Sequence, residues 1–267
     1  MNHFIATFRH LLVGLITLCV LTACATTTPK EDQRLHKLAK LHYQIGVDAL
    51  SKGLLPKAFE DLMESNEILP NQPEVLDALA YAWLLRGELH KSEAFYIKAL
   101  QHGGGAATQN NYANLLNKLK RYSDAEKRAR ASLADPRYPN QDLAFINLGD
   151  ALLGQQKYPE AIDTFRLARQ FNPRSNLINI RLASAYSKNG QSKQAEALYR
   201  SVIKLEPQNR LAVDGLLTLL IQQHQTRQAH ELLYAFAEQT TSTADRAWSY
   251  DQLHRLDQGT NHEKSRN

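Results

Sequence analysis

Only two residues in this 267-residue chain carry a thiol, and both, Cys19 and Cys24, lie within its first 24 positions. If cleavage falls between Ala23 and Cys24, the remaining chain keeps one thiol at its N-terminus. That leaves no disulfide, no cysteine-based metal site and no buried thiol nucleophile, and it points to covalent modification of Cys24. His36 with His42, and His224 with His230, sit six residues apart, a spacing that scatters each pair over different helix faces. They read as surface or packing histidines. Gly103-Gly104-Gly105 follows no strand, so it reads as a turn and not as a phosphate cradle. The chain contains no His-Glu-x-x-His, no Gly-x-Ser-x-Gly, no P-loop and no dinucleotide fingerprint. The acid pairs Glu31-Asp32 and Glu60-Asp61 read as solvated charges. The expectation is therefore no catalytic residue, no metal, no cofactor and no small-molecule substrate.

The elements that precede and surround Cys24 explain its position. A weakly positive start (His3, Arg9, His10) leads into the apolar run Leu11 to Leu21. That run is roughly ten residues, against the ~20 needed to cross a bilayer as a helix. It is followed by Leu21-Thr22-Ala23-Cys24, an aliphatic residue and two small ones before a cysteine, which resembles the bacterial lipobox. Small residues let the peptidase grip an extended chain, and the sulfur forms the thioether to diacylglycerol. Residues 1–23 are thus expected to be a lipoprotein signal peptide, and residues 24–38 a lipidated N-terminus and polar tether. Ala25, not Asp, follows the cysteine, which by resemblance to enterobacterial sorting favours the outer membrane, periplasmic face. Hydrophobic residues make up 43% and charged residues 22%, the balance of a folded protein. The formal charge is +5, of which only Arg9 lies before Cys24. With no dense Lys/Arg block, no nucleic-acid partner is implied.

The rest of the chain repeats itself. A pattern of large, aliphatic, small and large residues at positions 4, 7, 8 and 11, small, large and small at 20, 24 and 27, and proline at 32 aligns six units starting at residues 39, 73, 106, 142, 176 and 210. The fourth is the cleanest: Phe145, Leu148-Gly149, Leu152, Tyr158, Ala161, Phe165, Ala168 and Pro173. Small residues at 8 and 20 let two helices of a unit approach, large ones fill the space around them, and proline ends the second helix. A hairpin of this kind leaves an apolar face exposed, so units must stack. This is the tetratricopeptide pattern. It predicts an all-α, right-handed superhelical solenoid over residues 39–241, a capping helix over 242–257 and a flexible tail over 258–267.

The third and fourth units narrow the resemblance. Asn110-Asn111-Tyr112-Ala113, then Lys120-Arg121-Tyr122-Ser123-Asp124-Ala125, then Tyr138-Pro139 and Asn147-Leu148-Gly149 resemble the signature of the PilF/PilW family of type IV pilus biogenesis lipoproteins. Ala113 stands where that family usually has glycine, and the sixth unit matches little beyond repeat character. The resemblance implies a pilotin: an outer-membrane lipoprotein, non-enzymatic, whose partner is the pilus secretin. A lipid-anchored adaptor that scaffolds peptidoglycan-remodelling enzymes is the alternative.

In this architecture first helices line a concave groove through positions near 2, 5, 9, 12 and 13. These select Lys40, Tyr43 and Val47; Tyr81, Leu84 and Leu85; Asn110, Asn114, Asn117 and Lys118; Leu143, Ile146 and Leu153; and Leu177, Ile180, Ser184 and Lys188. Tyr81, Leu84, Leu85, Asn110, Asn114 and Asn117 form the stretch that mixes apolar anchors with amides able to pair with a peptide backbone. They are the predicted partner-binding residues. Tyr96, Tyr122, Tyr158, Tyr186 and Tyr199 occupy packing positions.

Overall fold

The computed structural model describes residues 28–264, with side chains described through residue 258. The signal sequence and Cys24 lie outside the described residues. Thirteen helices, and no strand, occur among them: α1 (Pro29–Ser51), α2 (Leu55–Ile68), α3 (Pro73–Leu85), α4 (Leu89–Gln101), α5 (Ala106–Lys118), α6 (Tyr122–Leu133), α7 (Gln141–Gly154), α8 (Tyr158–Phe171), α9 (Asn176–Lys188), α10 (Ser192–Leu205), α11 (Arg210–Gln222), α12 (Thr226–Gln239) and α13 (Thr243–Lys264). The first twelve form six hairpins, each packed on the next, and α13 packs on α12.

Every hairpin turns the same way. The fifteenth residue of each unit has a positive φ: Gly53, Gly87, Lys120, Gln156, Gly190 and His224. The next residue's N–H then reaches back five residues, as from Leu54 to the Ala49 carbonyl and from Lys157 to the Leu152 carbonyl. That bond satisfies a carbonyl left over at the end of the first helix. A side chain in the left-handed region costs roughly 1–2 kcal/mol, so three units use glycine and three carry the strain.

The paired small positions are where the two helices touch. Ala58, Ala80, Ser92, Ala113, Ala125, Ala161, Ala183, Ala195 and Ala229 have no exposed surface. In the sixth unit Leu217 replaces the small residue and is still buried. Large side chains fill the gaps so formed: a Cβ on Gly46 would lie 2.7 Å from Leu62, and one on Gly149 2.5 Å from Phe165. The largest continuous core runs from Ala113 through Leu152, Phe165, Leu182 and Tyr199 to Leu233 and Leu253. On α13, Trp248 meets Phe236 edge-on and the Ser249 hydroxyl donates to the Leu233 carbonyl.

Three sequence expectations need correction. Most of the tether expected over residues 24–38 is helix, because α1 starts at Pro29. The Thr28 side chain accepts from the Glu31 N–H, Pro29 occupies the first turn, and Glu31 and Asp32 face the positive end of the helix dipole. At the other end, helix continues to Lys264 through the expected tail. No proline follows Pro207, so extension adds hydrogen bonds without a break. Finally, Asp61 is not a solvated charge. It is 3% exposed, its Oδ1 lies 3.0 Å from His42 Nδ1 and its Oδ2 3.1 Å from Lys57 Nζ. Burial pushes the carboxyl up, but hydrogen bonds from His42 and Lys57 outweigh that and hold it below its ordinary value.

Candidate functional site

First helices of successive hairpins lie side by side along the inner face of the array, and between them runs a cleft of about 700 Å³. Its walls carry Tyr43 and Val47 from α1, Asp77 and Tyr81 from α3, Asn111 and Asn114 from α5, Ile146, Asn147 and Asp150 from α7, and Leu177 and Arg181 from α9. A second hollow of about 580 Å³ adjoins it, where Asn114, Asn117, Lys118, Tyr158 and Lys188 meet.

The floor of the cleft is a polar ladder. Asn111 Nδ2 donates to Asp77 Oδ2 at 2.9 Å. Asn147 Nδ2 donates to Asn110 Oδ1 at 2.8 Å, and Asn117 Nδ2 donates to the Asn147 carbonyl at 2.8 Å. Arg181 Nε stands 3.0 Å from Asp150 Oδ1. Each rung joins the first helix of one repeat to the next, which fixes the curvature of the floor. Asn111, Asn147 and Arg181 recur at spacings of 36 and 34 residues, position 6 of the third, fourth and fifth repeats, and Asp77 stands at position 5 of the second. Burial pushes both floor carboxyls up, Asp77 against a hydrogen bond from Asn111 and Asp150 against Arg181. Thr108 also hydrogen-bonds the Asp77 carboxylate, and Asn117 Oδ1 is buried without a hydrogen-bond partner among the described residues.

Apolar walls stand over this floor. Tyr81, Leu85, Leu143 and Leu177 are exposed. Charge is divided along the cleft: Glu74 and Asp77 lie toward α1, and Lys118 and Lys188 line the hollow toward α9. The triple-glycine turn borders a small hollow beside the same Glu74 and Asp77, which would repel a phosphate. Among the described residues no group of three or more His, Cys, Asp or Glu is placed to hold a metal. The arrangement provides anchors and backbone-pairing groups along an elongated surface, which suits recognition of a polypeptide segment.

Of the six predicted groove residues, Tyr81, Leu85 and Asn114 face open space. Leu84 packs with Ala80, Tyr96, Tyr112 and Leu116 and keeps 9% of its surface. Asn110 is buried and its oxygen is taken by Asn147. Asn117 spends its amide N–H on the Asn147 carbonyl. The two asparagines therefore hold repeats together instead of reaching for a peptide. Sequence reasoning passed over Asp77, Asn111, Asn147, Asp150 and Arg181. Asn111, Asn147 and Arg181, polar at position 6 of three successive repeats, were the available signal for three of these five.

Two tetratricopeptide-repeat family models match the chain, over residues 113–176 and 152–220. Among characterised sequences, cellulose synthase operon protein C of Pseudomonas fluorescens is 27% identical over 188 residues, 66% of this chain and 15% of that protein. The chain thus spans a small part of that relative's length. Among solved structures, PilF of Pseudomonas aeruginosa superposes with a TM-score of 0.67 at 22% identity, over 83% of this chain and 98% of that one. PilW, a widely conserved type IV pilus biogenesis factor, gives a TM-score of 0.70 at 17% identity, over 78% of this chain and 96% of that one. At these identities the likeness is one of fold: the described chain is an all-α solenoid of tetratricopeptide repeats, similar in architecture to PilF and PilW.

Proposed function

We propose that this protein is a lipid-anchored pilotin of type IV pilus biogenesis, held at the outer membrane through Cys24 and binding the pilus secretin in its concave groove. The likeness to PilF over nearly that protein's whole length carries the reading, and the run of signature residues from Asn110 to Gly149 supports it. The groove suits a client segment whose apolar side chains meet Tyr81, Leu143 and Leu177, with a basic residue toward Glu74 and Asp77 and an acidic one toward Lys118 and Lys188. The role is non-catalytic: it needs an anchor and a client site only.

Deleting the protein is expected to leave the secretin polypeptide present but to reduce its heat-resistant multimer in membranes at least several-fold. Tyr81→Asp with Asn114→Asp, at surface positions, should reproduce that loss while circular dichroism stays native. Normal multimer in the deletion strain would overturn the proposal and favour the peptidoglycan adaptor. Loss in the deletion alone would keep the function and move the site.

The anchor is tested separately. Cys24→Ser is expected to shift the protein out of the membrane fraction, and the wild-type N-terminus should carry acyl mass on Cys24. An unmodified Cys24 by mass spectrometry refutes lipidation.

A further inference from the structure

Positions 3 and 7 of the first helix are the stacking surface between repeats. From the second repeat onward they are Val75 and Leu79, Thr108 and Tyr112, Ala144 and Leu148, Ile178 and Leu182, and Ala212 and Leu216, all buried. Val75 and Leu79 show the reason, since they pack with Leu62 of the preceding repeat. In the first repeat the same positions are Leu41 and Ile45, which are 50% and 38% exposed. Leu38 extends the stripe at helical spacing. The far end of the array is different: there α13 covers the sixth repeat with Trp248, Leu253 and Leu256. Among the described residues, one end of the solenoid is closed and the other is open and apolar.

Two further features say what covers the open end. Arg34, Lys37 and Lys40 are the only Lys, Arg, Asp or Glu residues between Asp32 and Asp48, and none of the three is in an ion pair among the described residues. α1 also begins at Pro29, five residues after Cys24. Even fully extended, five residues reach only about 17 Å, so a lipid on Cys24 would keep the start of α1 close to the bilayer. Three aliphatic side chains are far too few for a stable protein interface, which takes roughly 20–30 residues a side. They suffice for a second contact once a lipid makes that contact intramolecular.

We propose that the outer face of α1, centred on Leu38, Leu41 and Ile45 and edged by Arg34 and Lys37, docks on an anionic phospholipid surface and fixes the orientation of the groove relative to the membrane. The proposal rests on the anchor reading above. Aliphatic side chains enter the headgroup boundary while the bases meet lipid phosphates, the arrangement of an interfacial amphipathic helix.

The test uses the full lipidated chain in vesicles of phosphatidylethanolamine and phosphatidylglycerol. A single environment-sensitive fluorophore is placed at Leu41→Cys or, as a reference on the exposed side of α13, at Tyr250→Cys. Nitroxide-bearing lipids are expected to quench the label at 41 several-fold more than the label at 250. Adding Arg34→Glu and Lys37→Glu should remove most of the difference. Equal quenching at the two sites overturns the proposal. A label at 41 that is shielded from water yet unquenched by lipid assigns the face to a second copy or another protein, and overturns it equally. Mass spectrometry of Cys24 on the same sample keeps the readings apart: an acylated protein with an unquenched label leaves the anchor standing and refutes the docking, whereas an unacylated Cys24 removes both.

Discussion

Gly149→Leu is expected to lower the stability of the array by about 3 kcal/mol, the upper end of ordinary overpacking. For a chain of this size that corresponds to roughly 6–12 °C in the melting midpoint. Gly149 lies on α7 where α8 passes closest, and a Cβ there would sit 2.5 Å from the Phe165 ring. Phe165 has no exposed surface, and Leu148, Leu152, Ile162 and Leu182 share its core. The ring has nowhere to swing, so the helices must part. Gly149→Ala should also destabilise, although alanine is the better helix former by up to about 1 kcal/mol. Combining it with Phe165→Leu should cost less than the sum of the two single changes, because the smaller side chain vacates the contested space. Strict additivity, or an unchanged denaturation curve for Gly149→Leu, would show that the two helices do not meet there.

Glu126→Gln is expected to destabilise the protein by up to about 3 kcal/mol at neutral pH and to lose that effect in acid. Glu126 on α6 accepts from Gln155 at 2.8 Å, Lys157 at 3.1 Å and Arg130 at 2.8 Å. Gln155 and Lys157 belong to the turn between α7 and α8, so one carboxylate ties the third repeat to the fourth. Burial raises its pKa, but the hydrogen bonds from Gln155, Arg130 and Lys157 prevail and bring it from 4.5 down to about 2. A carboxyl whose folded pKa is depressed binds its proton more weakly in the folded state. Its contribution is therefore complete above pH ~4.5 and disappears as pH falls through ~2. Urea midpoints for wild type and variant should differ most at pH 7, about half as much at pH 3, and hardly at pH 2. A difference that stays constant over this range would show that the carboxylate charge is not the source.

The repeat itself was fully legible in the sequence, because it is written in local terms. Small residues at 8 and 20 with Phe165 at 24 set how near two helices come, and prolines such as Pro173 and Pro207 mark where the second helix must end. These are one-helix or one-hairpin properties, and the chain states them within about thirty residues. The proposed lipid site at Leu21-Thr22-Ala23-Cys24 likewise rests on consecutive residues alone. What only the tertiary structure decided is which polar atoms are already spoken for. A register position places a side chain on a helix face, but its partner lies one repeat away and depends on how the two first helices pack. Asn110 and Asn117 looked like free amides and instead bond Asn147, across the one junction lengthened to 36 residues. Asp61 looked solvated and instead meets His42 from the helix before it. Stacking also decided the fate of Leu41 and Ile45. Identical positions are buried against the repeat before them in every later repeat, and among the described residues no preceding repeat covers these two.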